Sequence, residues 1–299
     1  MPSSIRRSAT LDAGQAGRWP KRRRTRALLR NRLSLLGLVI IAALVLVAAL
    51  APWLVRHDPY AVDLSRRLLP PSEAHWFGTD SAGQDIYSRV VHATRLDLTL
   101  SLLVLLVATT TGSALGLLSG YTGGRTDGVI MRLTEVFLAF PGLILALAMV
   151  AAVGSRSLIV VVMAIALRWW APYARLMRAQ VLAVRHSGYV EAAHALGLSH
   201  GRVLLRYIAP NSLSPIVVQA TLDLGQIILT AAALSFIGLG AQPGEPEWGR
   251  MVADGREYLR TNWWVATFPG SAIFLSVLGF NLLGDGLRDY FDPRLRQTL

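Results

Sequence analysis

Long apolar runs without a charged residue are the strongest constraint on how this chain can fold. A helix needs about 20 residues to cross the ~30 Å hydrocarbon core of a bilayer. Four charge-free runs reach that length, at residues 33–55, 98–124, 136–155 and 261–284. Two further runs contain one charge each, residues 157–174 with Arg168 and 212–240 with Asp223. The pattern predicts an all-α membrane protein with six transmembrane helices.

Composition agrees with a membrane protein. Hydrophobic residues make up 53% of the chain and charged residues only 16%, and the mean hydropathy is +0.44. Soluble domains have about 45–50% and about 25% respectively. The chain has no cysteine, which excludes disulfides, thiolate metal sites and cysteine nucleophiles.

Basic residues are concentrated in the first segment. Residues 1–32 hold 10 of the 30 basic residues and directly precede the first apolar run. Such a flank anchors a helix end on the cytoplasmic side and attracts anionic lipid. A nucleic-acid-binding arm is the alternative, but it more usually belongs to a soluble domain, and we expect no nucleic-acid partner. With six spans, predicted inner segments hold 21 basic residues and outer segments 9, which predicts both termini in the cytoplasm.

The spans divide the chain into segments. The first is interpreted as an uncleaved anchor, because its apolar core exceeds the ~7–15 residues of a signal peptide. The predicted organisation is a cytoplasmic tail at 1–32, a first transmembrane helix at 33–55, an extracytoplasmic segment at 56–95, a five-helix core at 96–289 with a cytoplasmic loop at 175–211 and an extracytoplasmic loop at 241–260, and a cytoplasmic tail at 290–299.

The chain has no nucleotide-binding motor of its own. A P-loop requires a lysine that meets the nucleotide phosphates. The single lysine, Lys21, lies in the basic tail and is followed by Arg22. Any ATP hydrolysis that drives transport is therefore expected in a separate subunit.

The cytoplasmic loop carries a pattern suited to contact with such a subunit. Glu191, Ala192 and Ala193 fall in a short predicted helix, Gly197 is suited to break it, and Pro210 follows before the fifth span. Alanines allow a partner's backbone to approach, and Glu191 offers a charged contact. The alternative is an amphipathic hairpin that merely joins two spans.

This segment resembles the EAA loop of ABC importer permeases, which is the coupling helix that enters a cleft of the ATPase. Further motifs resemble the second permease subunit of dipeptide/oligopeptide importers, in the peptide/nickel family. These motifs are FGTD at 77–80, GQD at 83–85, SR at 88–89, GLGAQP at 238–243, PEWG at 246–249 and FNLLGDGLRD at 280–289. Tyr207, Ala209, Gln84 and Gly244 depart from the usual pattern of these subunits.

The resemblance implies a type I importer permease fold in the cytoplasmic membrane of a bacterium. It also implies a homologous permease partner, two ATPase subunits or one fused ATPase, and an extracytoplasmic peptide-binding protein. ATP and magnesium would be bound by the ATPase subunits, with no cofactor and no catalysis in this chain.

Arg168 and Asp223 are the deepest charges in the predicted spans. Each lies 11 residues from one end of its run, roughly 16 Å into a ~30 Å core. Charges at that depth are functional candidates. Two interpretations stay open: the two side chains pair, or Asp223 faces the translocation path and attracts a peptide's amino terminus.

Two other functional classes are alternatives for a chain of this composition. An ion-gradient-driven secondary transporter or channel would favour inverted repeats and more intramembrane acids, and only Asp223 speaks for it. An intramembrane enzyme would need an organised metal or nucleophile motif, and neither His-Glu-x-x-His nor Gly-x-Ser-x-Gly occurs.

Overall fold

The structure is a computed structural model that describes residues 32–154 and 157–291. Its regular elements are helices, and the described part also has one isolated β-bridge, between Thr79 and Asp85. The helices are α1 (Arg32–Leu54), α2 (Ile86–Thr122), α3 (Gly124–Ala139), α4 (Gly142–Val153), α5 (Leu158–Val184), α6 (Gly188–Ala195), α7 (His200–Val203), α8 (Ala209–Ile237), α9 (Trp248–Gly255) and α10 (Trp264–Phe291). Short 3₁₀ turns lie at Leu64–Arg66 and Arg256–Tyr258, and a π turn at Leu204–Ile208 joins α7 to α8.

Five helical stretches are long and apolar enough to cross a membrane. The third predicted span, residues 136–155, is not one helix, because α3 and α4 meet at an angle of 93°. The break lies at Pro141, and Phe140 before it is extended (φ −84°, ψ 136°). A residue that precedes proline avoids the helical conformation, so a charge-free run is not by itself a continuous helix. The described chain has six spans if the bent pair of α3 and α4 is counted as one span.

Glycines on α2 allow α5 to pack closely against it. Gly112, Gly116 and Gly120 are four residues apart and therefore lie on one helix face. A Cβ at Gly112 would lie 2.3 Å from the carbonyl oxygen of Trp170, and one at Gly116 would lie 2.2 Å from that of Ala174. Small residues at such spacing bring the backbones of membrane helices together. The two helices form the centre of the described domain.

Helices α1 and α10 run antiparallel. A Cβ at Gly37 would lie 2.6 Å from the backbone nitrogen of Leu283, and one at Gly279 would lie 2.7 Å from the Ile40 side chain. The beginning of α1 therefore lies beside the end of α10. Both ends of the described chain are on the same side, as an even number of spans requires.

The segment between α1 and α2 folds as an ordered cap. Helix α2 begins at Ile86, so the last ten residues of the predicted extracytoplasmic segment 56–95 are helical. Asp85 starts the helix, because its carboxylate accepts a hydrogen bond of 2.8 Å from the Ser88 amide. Gly83 has φ +76°, and a Cβ there would lie 1.8 Å from the Asp63 carbonyl oxygen. This close approach explains the glycine of the GQD motif.

Parts of two predicted segments lie outside the described residues. They are residues 1–31 of the basic tail and 292–299 of the C-terminal tail.

Candidate coupling surface and intramembrane polar groups

The predicted short helix of the cytoplasmic loop is present as α6. Ser187 precedes it in extended conformation (φ −74°, ψ 145°), and it ends at Ala195. Gly197 follows with φ +76°, and its amide donates to the His194 carbonyl oxygen at 2.9 Å. No atom lies within 4 Å of a Cβ built on Gly197, so the backbone conformation and not space requires glycine there.

One face of α6 is buried and the opposite face is open. Val190 and Ala193 are 1% and 3% exposed and pack into the main apolar core. Tyr189 is 45% exposed and Leu196 81%, with Glu191 and Ala192 exposed between them. We name the exposed residues Tyr189, Glu191, Ala192 and Leu196 the α6 docking face.

The two alanines of the predicted contact have different positions. Ala192 is exposed on α6, whereas Ala193, turned by about 100° from it, faces the core. Ala193 packs against the protein itself, at 3% exposure. Of the two alanines, Ala192 is therefore the one on the exposed face, and a contact through Ala193 stays a prediction.

Pro210 lies inside a helical stretch and does not end it. It lies in the exposed first turn of α8, directly after the π turn Leu204–Ile208. Proline cannot donate to the carbonyl four residues earlier and its ring crowds that carbonyl. The wider π turn accommodates both effects, and the backbone continues as α8. Pro210 thus shapes the entry to the fifth span and lies outside α6.

Polar contacts join the segment around α6 to the adjoining ends of the neighbouring helices. The Tyr121 hydroxyl lies 2.7 Å from His200 Nδ1, and Arg185 donates to the Gly120 carbonyl oxygen at 3.0 Å. Arg178 forms two hydrogen bonds of 2.6 Å with the Asp127 carboxylate. The sequence analysis missed these contacts, because their partners lie 51 to 79 residues apart along the chain.

Asp223 and Arg168 are not paired. The Asp223 carboxylate accepts hydrogen bonds from the Tyr173 hydroxyl at 2.6 Å and from the Gln219 amide at 2.9 Å. Among the described residues, no ion pair within 4.0 Å joins it to Arg168. Arg168 precedes Tyr173 by five residues, about 7.5 Å along α5, so Tyr173 is the residue that reaches Asp223. The predicted pairing is therefore not present as a direct ion pair among the described residues.

Arg168 lines an open groove of about 270 Å³ in the membrane domain. Its guanidinium lies over the Trp169 ring, 4.8 Å from the centroid, and packs above Gly142 at the break between α3 and α4. Asp223, at 4% exposure, does not line the groove. The remaining lining residues are Leu143, Ala146, Ile165, Gln226 and Thr230.

Arg89 joins the two predicted extracytoplasmic segments. It is 1% exposed and donates hydrogen bonds to the carbonyl oxygens of Pro59 and Gly244, at 3.0 and 3.2 Å. Gln84, one of the departures from the family pattern, accepts from it at 2.5 Å through its side-chain oxygen. Burial raises the pKa of Asp80, while Arg89, 3.6 Å away, acts in the opposite direction. The residues of the GQD and SR motifs thus hold the cap together.

Comparison with known proteins identifies the family. Residues 112–297 match the profile described as binding-protein-dependent transport system inner membrane component. Residues 20–71 match the N-terminal transmembrane domain of oligopeptide transport permease C.

Individual relatives cover nearly the whole chain. It is 48% identical to the probable D,D-dipeptide transport system permease protein DdpC of Escherichia coli K12, over 88% of each chain. It is 44% identical to the dipeptide transport system permease protein DppC of Alkalihalophilus pseudofirmus, over 93% of this chain and 91% of the relative. It is 43% identical to the nickel transport system permease protein NikC of E. coli K12, over 87% and 94%.

Solved structures share the fold. An amino acid ABC transporter chain crystallised with histidines has a TM-score of 0.51 at 18% identity, covering 66% of this chain and 91% of that one. The MetNI methionine ABC transporter in an inward-facing form has a TM-score of 0.50 at 16% identity, covering 68% and 97%. Together with the helical architecture and the family match, these findings show that the chain is a multi-pass inner-membrane permease of the binding-protein-dependent transport family.

Proposed function

We propose that this chain is a transmembrane subunit of an ATP-driven importer that carries short peptides across the bacterial inner membrane. The dipeptide names of its relatives support this cargo class. The family match does not favour the alternative of an ion-gradient-driven transporter or channel. The subunit itself is non-catalytic in this proposal, and ATP and magnesium are bound by partner ATPase subunits.

The observation that carries the coupling proposal is that α6 is buried on one face and exposed on the other. Val190 and Ala193 fix the helix to the core, while the α6 docking face stays open to a partner. Ala192 lets the ATPase surface approach closely, and Glu191 and Leu196 supply a charged and an apolar contact beside it. Gly197 sets the direction in which the chain leaves this contact.

The polar contacts around α6 would transmit a movement of this helix to the membrane domain. Displacement of α6 would pull on α2 through the Tyr121–His200 contact and through Arg185 at Gly120. Helix α2 is packed tightly against α5, which carries Arg168 on the open groove. In this proposal the groove forms the translocation path together with a homologous permease subunit, and the extracytoplasmic cap receives the binding protein.

Replacing Ala192 with Arg tests the docking role. The large charged side chain projects from an exposed site, so the permease should fold normally but lose the ATPase subunits during co-purification, and peptide uptake should fall at least about tenfold, the effect of ~1.4 kcal/mol at the contact. Gly128→Arg on α3 is the matched control, since Gly128 is exposed and no atom lies within 4 Å of a Cβ there. An Ala192→Arg complex that retains its ATPase subunits and normal uptake would contradict the proposal.

A further inference from the structure

Two histidines and an aspartate meet where the extracytoplasmic segment joins α2. The ligand atoms of His57, His75 and Asp85 all lie within 4.8 Å of one another. His75 Nδ1 is 2.9 Å from one carboxylate oxygen of Asp85, and His57 Nδ1 is 3.8 Å from the other. The two imidazole rings lie 4.9 Å apart between centroids. His75 and Asp85 are buried, at 5% and 4% exposure, and His57 lies at the outer side.

The hydrogen bonds of the protein leave this cluster incomplete. His57 Nδ1 is enclosed and has no hydrogen-bond partner among the described residues, although the His57 backbone amide donates to the Ser88 hydroxyl at 3.0 Å. A buried polar atom without a partner costs about 1–3 kcal/mol. The ring nevertheless has that nitrogen towards Asp85, 3.8 Å from its carboxylate, and lies against the His75 ring. A bound group at the centre of the cluster would satisfy it.

We propose that His57, His75 and Asp85 bind a divalent transition-metal ion, with Zn²⁺ as the representative. Two imidazole nitrogens and a carboxylate oxygen suit zinc and its neighbours, whereas magnesium and calcium prefer oxygen ligands alone. Three protein ligands leave a fourth position for water. Binding needs the lone pair of each ligating nitrogen, so the proton between His75 and Asp85 moves to the other ring nitrogen or to solvent.

The ion would cross-link the cap. His57 follows the end of α1, His75 lies in the middle of the segment and Asp85 begins α2, so one ion joins three points of the chain. This site lies on the opposite side of the membrane domain from the α6 docking face in the proposed topology. Its test is independent of ATPase coupling and of the peptide cargo.

Zinc titration of the complete transporter tests the site. The complex is purified without a polyhistidine tag, stripped with EDTA and titrated with Zn²⁺ against a chromophoric chelator. His57→Ala is the informative variant, because the Nδ1 atom that it removes has no hydrogen-bond partner among the described residues. Loss of a residue that hydrogen-bonds to a metal ligand weakens metal binding about 10–100-fold. Loss of the ligand His57 itself should therefore weaken it by more than about 100-fold.

His92→Ala is the matched control, because His92 lies on the same side and contacts Tyr60 outside the cluster. The proposal predicts that the wild-type and His92→Ala complexes bind one Zn²⁺ more per permease chain than His57→Ala. Replacement of Zn²⁺ by Co²⁺ should give visible absorption in the wild-type and His92→Ala complexes but not in the His57→Ala complex. Equal Zn²⁺ binding by wild type and His57→Ala, including no binding by either, would overturn it, and would mean that the cluster only caps α2.

Discussion

Asp223 illustrates how a buried carboxylate is stabilised within a membrane domain. The sequence alone indicated its depth, because it is the single charge in a long apolar run. Its partners could not be predicted in the same way. Tyr173 is 50 residues away along the chain, and a hydroxyl leaves no signature in a charge pattern. Arg168 is the opposite charge in the predicted spans. It lies five residues before Tyr173 on α5, and Tyr173 is the residue whose side chain reaches Asp223.

A double-mutant cycle tests this assignment. Tyr173→Phe removes one of the two donors to the buried carboxylate and should destabilise the complex by about 1–3 kcal/mol. Its effect should be strongly non-additive with Asp223→Asn, with a coupling of about 0.5–3 kcal/mol, because the two residues are in direct contact. The coupling of Arg168→Gln with Asp223→Asn should be smaller than that of Tyr173→Phe, because no ion pair within 4.0 Å joins the two charges among the described residues.

The measurement is thermal unfolding of the detergent-purified complex for each single and double variant. Strong coupling of Asp223 to Arg168, together with additivity towards Tyr173, would show that the carboxylate is paired with the arginine after all.

At the scale of elements, sequence reasoning located the apolar helices well and their breaks less well. A charge-free run of sufficient length at 136–155 predicted one helix, although Pro141 within it divides α3 from α4. Hydropathy averaged over a window does not register a backbone restriction at one residue. In the predicted cytoplasmic loop, by contrast, a single residue did indicate where a helix ends. Gly197 follows α6 in a left-handed conformation, which favours glycine.

The glycine face of α2 gives a prediction at this scale. In Gly116→Ala the added Cβ would lie 2.2 Å from the Ala174 carbonyl oxygen, so α2 and α5 must separate. Overpacking of this kind costs about 1–3 kcal/mol and should lower both the yield of folded complex and its apparent Tm. Gly128→Ala on α3 is the control: it meets no atom within 4 Å, and Ala favours a helix over Gly by about 0.5–1 kcal/mol. A Gly116→Ala complex as stable as this control would contradict the close packing of α2 on α5.

At the scale of the whole molecule, the sequence motifs indicated the family and the structure shows what they hold together. The GQD and SR motifs converge on Arg89, which links the segment before α2 to the loop before α9 across more than 150 residues. The antiparallel contact of α1 with α10 places both described ends on one side. Neither contact could be derived from one sequence, because each depends on which distant helices pack together.

The central claim is that this chain is one part of a conduit that a separate ATPase drives. Proteoliposomes test it most directly, by uptake of a labelled dipeptide into vesicles that contain either the lone subunit or the complete transporter with its binding protein. We predict ATP-dependent accumulation against a gradient by the complete transporter alone, and its loss in the Ala192→Arg complex. Uphill accumulation by the lone subunit, driven by an ion gradient without ATP, would contradict the account.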